Sequence, residues 1–351
     1  MRKPLITGAA LLLLAATVAT AGCTSRTEAS SAAPVPAGQS AAPSSAAAPA
    51  SFTVAFVPKL QGIPYFEAMN TGGKKAEADI PGLKWVYQGS TTADPAAQAN
   101  IVRSLIQQKV DAIFVAPNDP NSMAPVLKEA ADAGIKVGTT DTDAPDSVRS
   151  VFVQQATDEG IGKYTADTLA KAMGEKGTVG IVSCGETAQN LNSWIAVEKT
   201  TFKNYPNIKV LDPVYAGEDM AKATKMATDL INAHQDLTGL IGQCSTSAPA
   251  VAEAVKTAGK IGKVFSVGVG TPKAMLPYLT DGSSSGSILW NVEDLGYLTA
   301  WAGAQLVAGK SFQPTQDVAS IKGVTFDGTS KALLLGPPTV FTKDNAGQFD
   351  Y

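Results

Sequence analysis

From Phe52 onward, short runs of apolar and β-branched residues alternate with longer stretches in which apolar positions recur every three or four residues. The short runs predict strands at Thr53 to Val57, Lys84 to Tyr87, Ala112 to Val115, Lys136 to Thr140 and Val151 to Val153. The longer stretches predict helices between them. One runs from Ala93 to Gln108 with Ile101, Leu105 and Ile106 on a single face, and another from Ser122 to Ala133, ended by Gly134. The same rhythm then repeats, with strands predicted at Thr178 to Ser183, Val210 to Val214, Leu240 to Gly242, Val264 to Val267 and Ser287 to Leu289. Strands alternating with helices predict a parallel sheet covered on both faces, so two such runs predict an α/β protein of two similar Rossmann-like lobes.

The residues before Phe52 follow no such period. Arg2 and Lys3 precede an apolar run from Leu5 to Ala19, and "TAGC" ends at Cys23, the layout of a secretory signal over residues 1–22. Small residues leading into a cysteine predict that Cys23 becomes the lipid-modified first residue of the mature chain, tethered outside the cytoplasm to the cell membrane. Residues 23–51, almost all Ala, Ser, Pro, Thr and Gly, cannot bury enough surface to order themselves and read as a flexible tether. About 300 residues remain for the folded part. The chain carries 28 Lys and Arg against 31 Asp and Glu, without a basic cluster, so nucleic acid is excluded as a partner.

In open α/β sheets a ligand binds beyond the carboxyl ends of the strands, where loops replace the ladder. Those ends offer Lys59, Tyr65 and Phe66, then Asp141, in the first lobe, and Asn190, Gln243, Trp290 and Asn291 in the second. This is a set of carboxylates, amides, one cation and aromatic rings. The only histidine is His234, which leaves a histidine triad or zinc site nothing to build on. No glycine-rich phosphate cradle follows a strand. Asp141 and Asp143, two residues apart after a strand, suit one ligand contact and one turn cap better than paired glycosidase carboxylates. The reading is therefore a binding protein, not an enzyme, with no cofactor, no metal and no catalytic residue.

The stretches "FVPKLQGIPYF", "TTDTD", "GTPKAMLPYL", "ILWNVEDLGYLT" and "VFTKDNAGQFDY" carry a resemblance that extends over the chain from Phe52. They resemble the type I periplasmic sugar-binding proteins of the ribose-binding superfamily, in the group that holds the rhamnose-binding and autoinducer-2-binding proteins. The resemblance implies a monomeric solute-binding lipoprotein that serves the permease of an ABC importer. It implies lobes made of residues 52–155 plus 292–316 and of 156–291 plus 317–351, joined by three hinge crossovers. Tyr65 and Phe66 match the aromatic pair that packs on a sugar ring, although Phe66 also reads as core under the first helix. Lys59 and Asp141 match the lysine and cleft aspartate of the autoinducer-2 binders. Trp290 reads either as a second stacking surface or as hinge packing.

Elsewhere the chain departs from that pattern. Asn190 and Leu191 stand where the autoinducer-2 binders have Asp-Gln, Gln243, Cys244 and Ser245 where they have Pro-Asp-Ala, and Gly270 where ribose binders carry an aspartate. Unpaired hydroxyls in a closed site cost about 1 to 3 kcal/mol each, so these losses argue against both ligands. The expectation is a less acidic pocket for a small neutral sugar: a rhamnose-like deoxy sugar, a pentose or a polyol. A sensor of autoinducer-2 or sugar that addresses a chemoreceptor or kinase remains the alternative.

Cys184 and Cys244 follow the first and third strands of the second lobe, which are neighbours in the expected 2-1-3-4-5 order. Strands about 4.8 Å apart fit the Cα separation of a disulfide, which an oxidising compartment permits. Buried free thiols are the other reading.

Overall fold

The structure, a computed structural model, describes residues 51–351. The signal segment, Cys23 and the tether up to residue 50 lie outside the described residues. The first run of elements is β1 (Phe52–Val57), α1 (Pro64–Asp79), β2 (Leu83–Tyr87), α2 (Pro95–Gln107), β3 (Ala112–Val115), α3 (Pro120–Asp132), β4 (Lys136–Thr140) and β5 (Val151–Gln154). The second is α4 (Asp158–Ala172), β6 (Lys176–Ser183), α5 (Gln189–Thr201), β7 (Asn207–Val210), β8 (Val214–Tyr215), α6 (Met220–Ala233), β9 (Leu237–Gly242), α7 (Ser247–Thr257), β10 (Phe265–Gly268), α8 (Pro272–Asp281) and β11 (Gly286–Leu289). Then come α9 (Val292–Val307), β12 (Thr315–Val318), β13 (Ile321–Asp327), β14 (Ala332–Leu334) and β15 (Thr339–Phe341).

Two sheets result. One has the order β12-β13-β14-β5-β4-β3-β1-β2, the other β15-β11-β10-β9-β6-β7, with β8 also paired to β6. The five leading strands of each run are parallel in the 2-1-3-4-5 arrangement, so the α/β reading holds. Central strands such as β3, with all four residues buried, are apolar because helices cover both faces.

Several helices start on a short polar residue placed just past a strand. Asp94, Asp119 and Asp219 accept the backbone N–H three residues on, and Asn291 does the same for Asp294. Proline opens α1, α2, α3 and α8, where its missing N–H costs nothing. These caps set the helix N-termini on the side of the sheets where the strands end.

The chain passes between lobes three times. It leaves the first sheet after β5, returns from β11 into α9, which packs on α1 and the first sheet, and leaves again between β14 and β15. The third passage corrects the sequence reading. The sequence reading assigns residues 317–334 to the second lobe, with the crossing at residues 316–317. Instead β12 and β13 form an antiparallel hairpin, and β14 carries it onto the edge of β5, so the crossing lies at residues 335–338. The hairpin escapes notice because its strands are half-exposed and alternate weakly, and its turn at Ala319 takes a left-handed φ of 50° without glycine.

Helices α1 and α9 meet backbone to backbone. A Cβ added at Gly72 would strike the Glu293 carbonyl, and one at Gly296 would strike that of Met69. Lys75 closes the contact with a salt bridge to Glu293. Among the described residues no helix is long and apolar enough to cross a membrane.

Candidate functional site

The strand ends of the two sheets face each other across one pocket. From the first lobe come Lys59 after β1, Ile63, Tyr65 and Phe66 around the start of α1, and Asp141 after β4. From the second come Asn190, Leu191 and Trp194 of α5, Glu218 after β8, Cys244 and Ser245 after β9, Val269 after β10 and Trp290 after β11.

Asp141 organises the polar side. It takes a left-handed backbone, φ 63°, which Asp tolerates better than most residues and which turns its carboxylate inward. Its Oδ1 accepts the Tyr65 hydroxyl at 2.8 Å, while its Oδ2 accepts the Thr142 hydroxyl at 3.0 Å and lies 3.3 Å from Lys59 Nζ. Lys59 reaches across the cleft as well, donating to Asn190 Oδ1 at 3.0 Å. Lys59 and Asp141 are only 5% and 3% exposed. Charges so far from water persist only when paired and hydrogen-bonded, as both are here. Burial first, and the Asp141 charge second, push the Tyr65 hydroxyl well above the usual tyrosine range, so it stays a donor at physiological pH.

The lysine loop is itself clamped. Gln98 donates to the carbonyls of Pro58 and Ala116 at 2.9 and 2.7 Å and accepts the Asn118 N–H at 3.0 Å, while Asn118 donates to the Lys59 carbonyl at 2.9 Å. These bonds fix where Lys59 leaves the backbone.

The remaining wall is aromatic. Tyr65 meets Phe66 and Trp290 edge-on, with centroids 5.1 and 5.9 Å away, and Trp290 meets Trp194 edge-on at 5.9 Å. Phe66 serves pocket and core together, since it also packs on Phe56. Trp194 donates its indole N–H to Asp158 at 2.9 Å. The indole N–H of Trp290, buried against the pocket, lies near the Tyr65 hydroxyl but makes no well-aligned hydrogen bond within the protein, so it is a donor of the kind a ligand oxygen satisfies.

Two residues of the expected set stand elsewhere. Gln243 is fully buried behind the pocket and donates to Glu198 Oε1 at 2.8 Å, because the strand period turns its side chain under α5. Asn291 turns its oxygen back to cap α9, accepting from Asp294 N at 3.1 Å. Glu218, Trp194, Ile63 and Val269 were not in that set. Across from Asp141, Glu218 adds a second carboxylate to the pocket. Burial pushes its carboxyl up and the Lys59 charge draws it back. Reading one strand over Val210 to Val214 hid the separate β8, and with it the loop after β8 that carries Glu218.

Cys184 and Cys244 form a disulfide with Cα atoms 6.2 Å apart, tying β6 to β9 at the pocket's edge. With the two sulfurs joined, Glu218 beside them is left without the thiolate partners that would make a metal site.

The central space measures about 30 Å³, room for one or two waters. The space as it stands is too small for a ring of six heavy atoms. A larger cavity of about 500 Å³ borders it on the open side of the cleft, sharing Lys59 and Glu218.

Comparison with known proteins gives a consistent result. The periplasmic binding protein domain matches residues 54–311. A D-ribose/D-allose-binding protein of Pseudomonas aeruginosa is 29% identical over 239 residues, 65% of this chain and 74% of the relative. Among solved structures, LsrB from Clostridium saccharobutylicum in complex with AI-2 superposes with a TM-score of 0.80 at 28% identity, covering 85% of this chain and 100% of that one. An ABC transporter solute-binding protein from Clostridium phytofermentas with bound L-rhamnose gives 0.79 at 27% identity, covering 85% and 98%.

Proposed function

The chain belongs to the periplasmic binding protein family, and from that premise we propose that it is the extracytoplasmic solute-binding component of an ABC importer, capturing one small neutral sugar or polyol between its lobes. The observation that carries this reading is a pocket built from both lobes, in which aromatic rings face a buried Lys59–Asp141–Asn190 cluster. A pyranose or furanose has an apolar C–H face and a polar rim, and this pocket supplies a surface for each.

In the capture step Tyr65, Phe66 and Trp290 cover the ring's faces. Asp141 accepts hydroxyl hydrogens, Lys59 and the Trp290 N–H donate to ring or hydroxyl oxygens, and Asn190 does both. Lys59, Asp141 and Asn190 each trade a protein partner for a ligand one, so the lobes are drawn together by the solute instead of by each other. The names of the relatives, ribose or allose and L-rhamnose among them, support a monosaccharide. Asn190 and Leu191, in place of the Asp-Gln that the autoinducer-2 binders carry, support a neutral sugar over AI-2. Lipid-modified as its sequence context predicts, Cys23 would hold the protein to the membrane beside its permease.

A thermal-shift screen of L-rhamnose, D-ribose, D-allose, D-arabinose and xylitol tests the reading. A compound bound only by the folded chain raises the melting temperature as RT ln(1 + [L]/Kd), and at least one of the five is expected to do so. Failure of all five at millimolar concentration would overturn it.

A further inference from the structure

We propose that Glu218 is a specificity-determining residue of this pocket, the second lobe's own carboxylate acceptor for ligand hydroxyls. The inference rests on the sugar-binding reading above and adds what that reading lacks, an anionic grip from the second lobe.

The pocket contains two carboxylates, Asp141 from the first lobe and Glu218 from the second, and Lys59, paired with Asp141, also acts on the Glu218 charge. The position of Glu218 is built, not incidental. Ala216 and Gly217 donate their N–H groups to the carbonyls of Ser183 and Cys184 at 2.9 and 3.0 Å, and Gly217 takes the left-handed φ of 69° that turns the chain there. Asp219 then caps α6. The loop is therefore fastened to the end of β6 on one side and to a helix on the other, and Glu218 projects from it into the cleft.

Its bonds leave capacity for a ligand. Oε2 accepts the Thr246 hydroxyl at 3.2 Å, and among the described residues no donor reaches Oε1. Lys59 is already committed to Asp141 and Asn190. A partly buried carboxylate with an open oxygen, lining both the inner pocket and the outer cavity, is free to accept from a ligand donor that takes the place of water there. Sugar and polyol hydroxyls are such donors, and they remain neutral.

The consequence is a requirement on the solute. A compound must present a hydroxyl to Asp141 and another to Glu218 at once. One that lacks the second leaves a desolvated carboxylate unmet when the cleft closes, and is rejected for that reason.

The test is calorimetric titration of the wild type, Glu218→Gln and Glu218→Ala with L-rhamnose, D-ribose, D-allose, D-arabinose and xylitol. For whichever of these binds the wild type, Glu218→Ala is expected to lose about ten-fold or more in affinity. Glu218→Gln, which keeps an acceptor for Thr246, is expected to lose less. Both variants should melt like the wild type without sugar, which separates a ligand role from a structural one. Affinities within two-fold of wild type in both variants would overturn the inference while leaving the sugar-binding reading intact. No binding of any of the five to the wild type would overturn both.

Discussion

Asp141 joins two demands in one position, a left-handed backbone and a charge shared among Tyr65, Thr142 and Lys59. Asn tolerates the same φ, so Asp141→Asn isolates the charge. Sugar affinity should fall about ten- to a hundred-fold, measured by calorimetry, with the fold retained. Glu198 makes a different prediction. Fully buried, with Gln243 donating to it, its carboxyl is raised from an ordinary 4.5 to about 8, and desolvation is the cause. The folded chain therefore keeps this proton after the unfolded chain has lost it. Where the unfolded state binds fewer protons, stability falls as pH rises, so this group costs stability progressively from about pH 4.5 to about pH 8. Glu198→Gln should flatten that part of the profile of melting temperature against pH. An unchanged slope would show that Glu198 ionises freely in the folded chain. At this scale Lys59, Tyr65, Phe66, Asp141, Asn190 and Trp290 were readable as pocket residues because each follows a strand that the apolar pattern marks plainly. Gln243 and Asn291 follow strands too, but which way a side chain points at a strand end depends on pleat and cap, and neither is written in the local pattern.

Among elements, the contact between α1 and α9 is the least forgiving. Gly296→Ala places a methyl against the Met69 carbonyl, backbone that cannot step aside without moving a helix. Overpacking of this kind costs about 1 to 3 kcal/mol, which denaturant unfolding would register as a lowered midpoint. The Cys184–Cys244 link acts on strands instead. It closes a loop of 60 residues, worth roughly 4 kcal/mol by chain entropy. The double change to serine should lower stability by about 2 to 4 kcal/mol, and titration of the wild type under denaturing, non-reducing conditions should find neither thiol free. The elements themselves were legible wherever burial made them so. Both parallel cores, apolar on two faces, appear in the sequence within three residues of their observed ends, except that the strand read over Val210 to Val214 bridges the gap between β7 and β8. The β12–β13 hairpin did not, since one face of it is solvent and its signal is an alternation of only a few residues.

For the molecule as a whole, three short passages join the lobes, at residues 155–157, 290–291 and 335–338. Connections this short are of the kind that carry hinge rotation between two bodies. Small-angle scattering should give a smaller radius of gyration with the sugar of largest thermal shift than without it, and equal radii would argue against a closing cleft. The backbone contact of Gly72 and Gly296 has a bearing on how such a protein acquires a new solute, by selection or by design. Tyr65 and Phe66 ride on the first turn of α1, a helix that cannot slide past α9, and Trp290 stands immediately before α9. That wall is a fixed die, and a substitution that needs it to shift is lost to folding before it is seen by function. Asn190 and Glu218 stand outside the locked pair, on the other lobe. New solute preferences should accumulate there first, which makes the second-lobe loops the place to randomise in any library meant to retarget this scaffold.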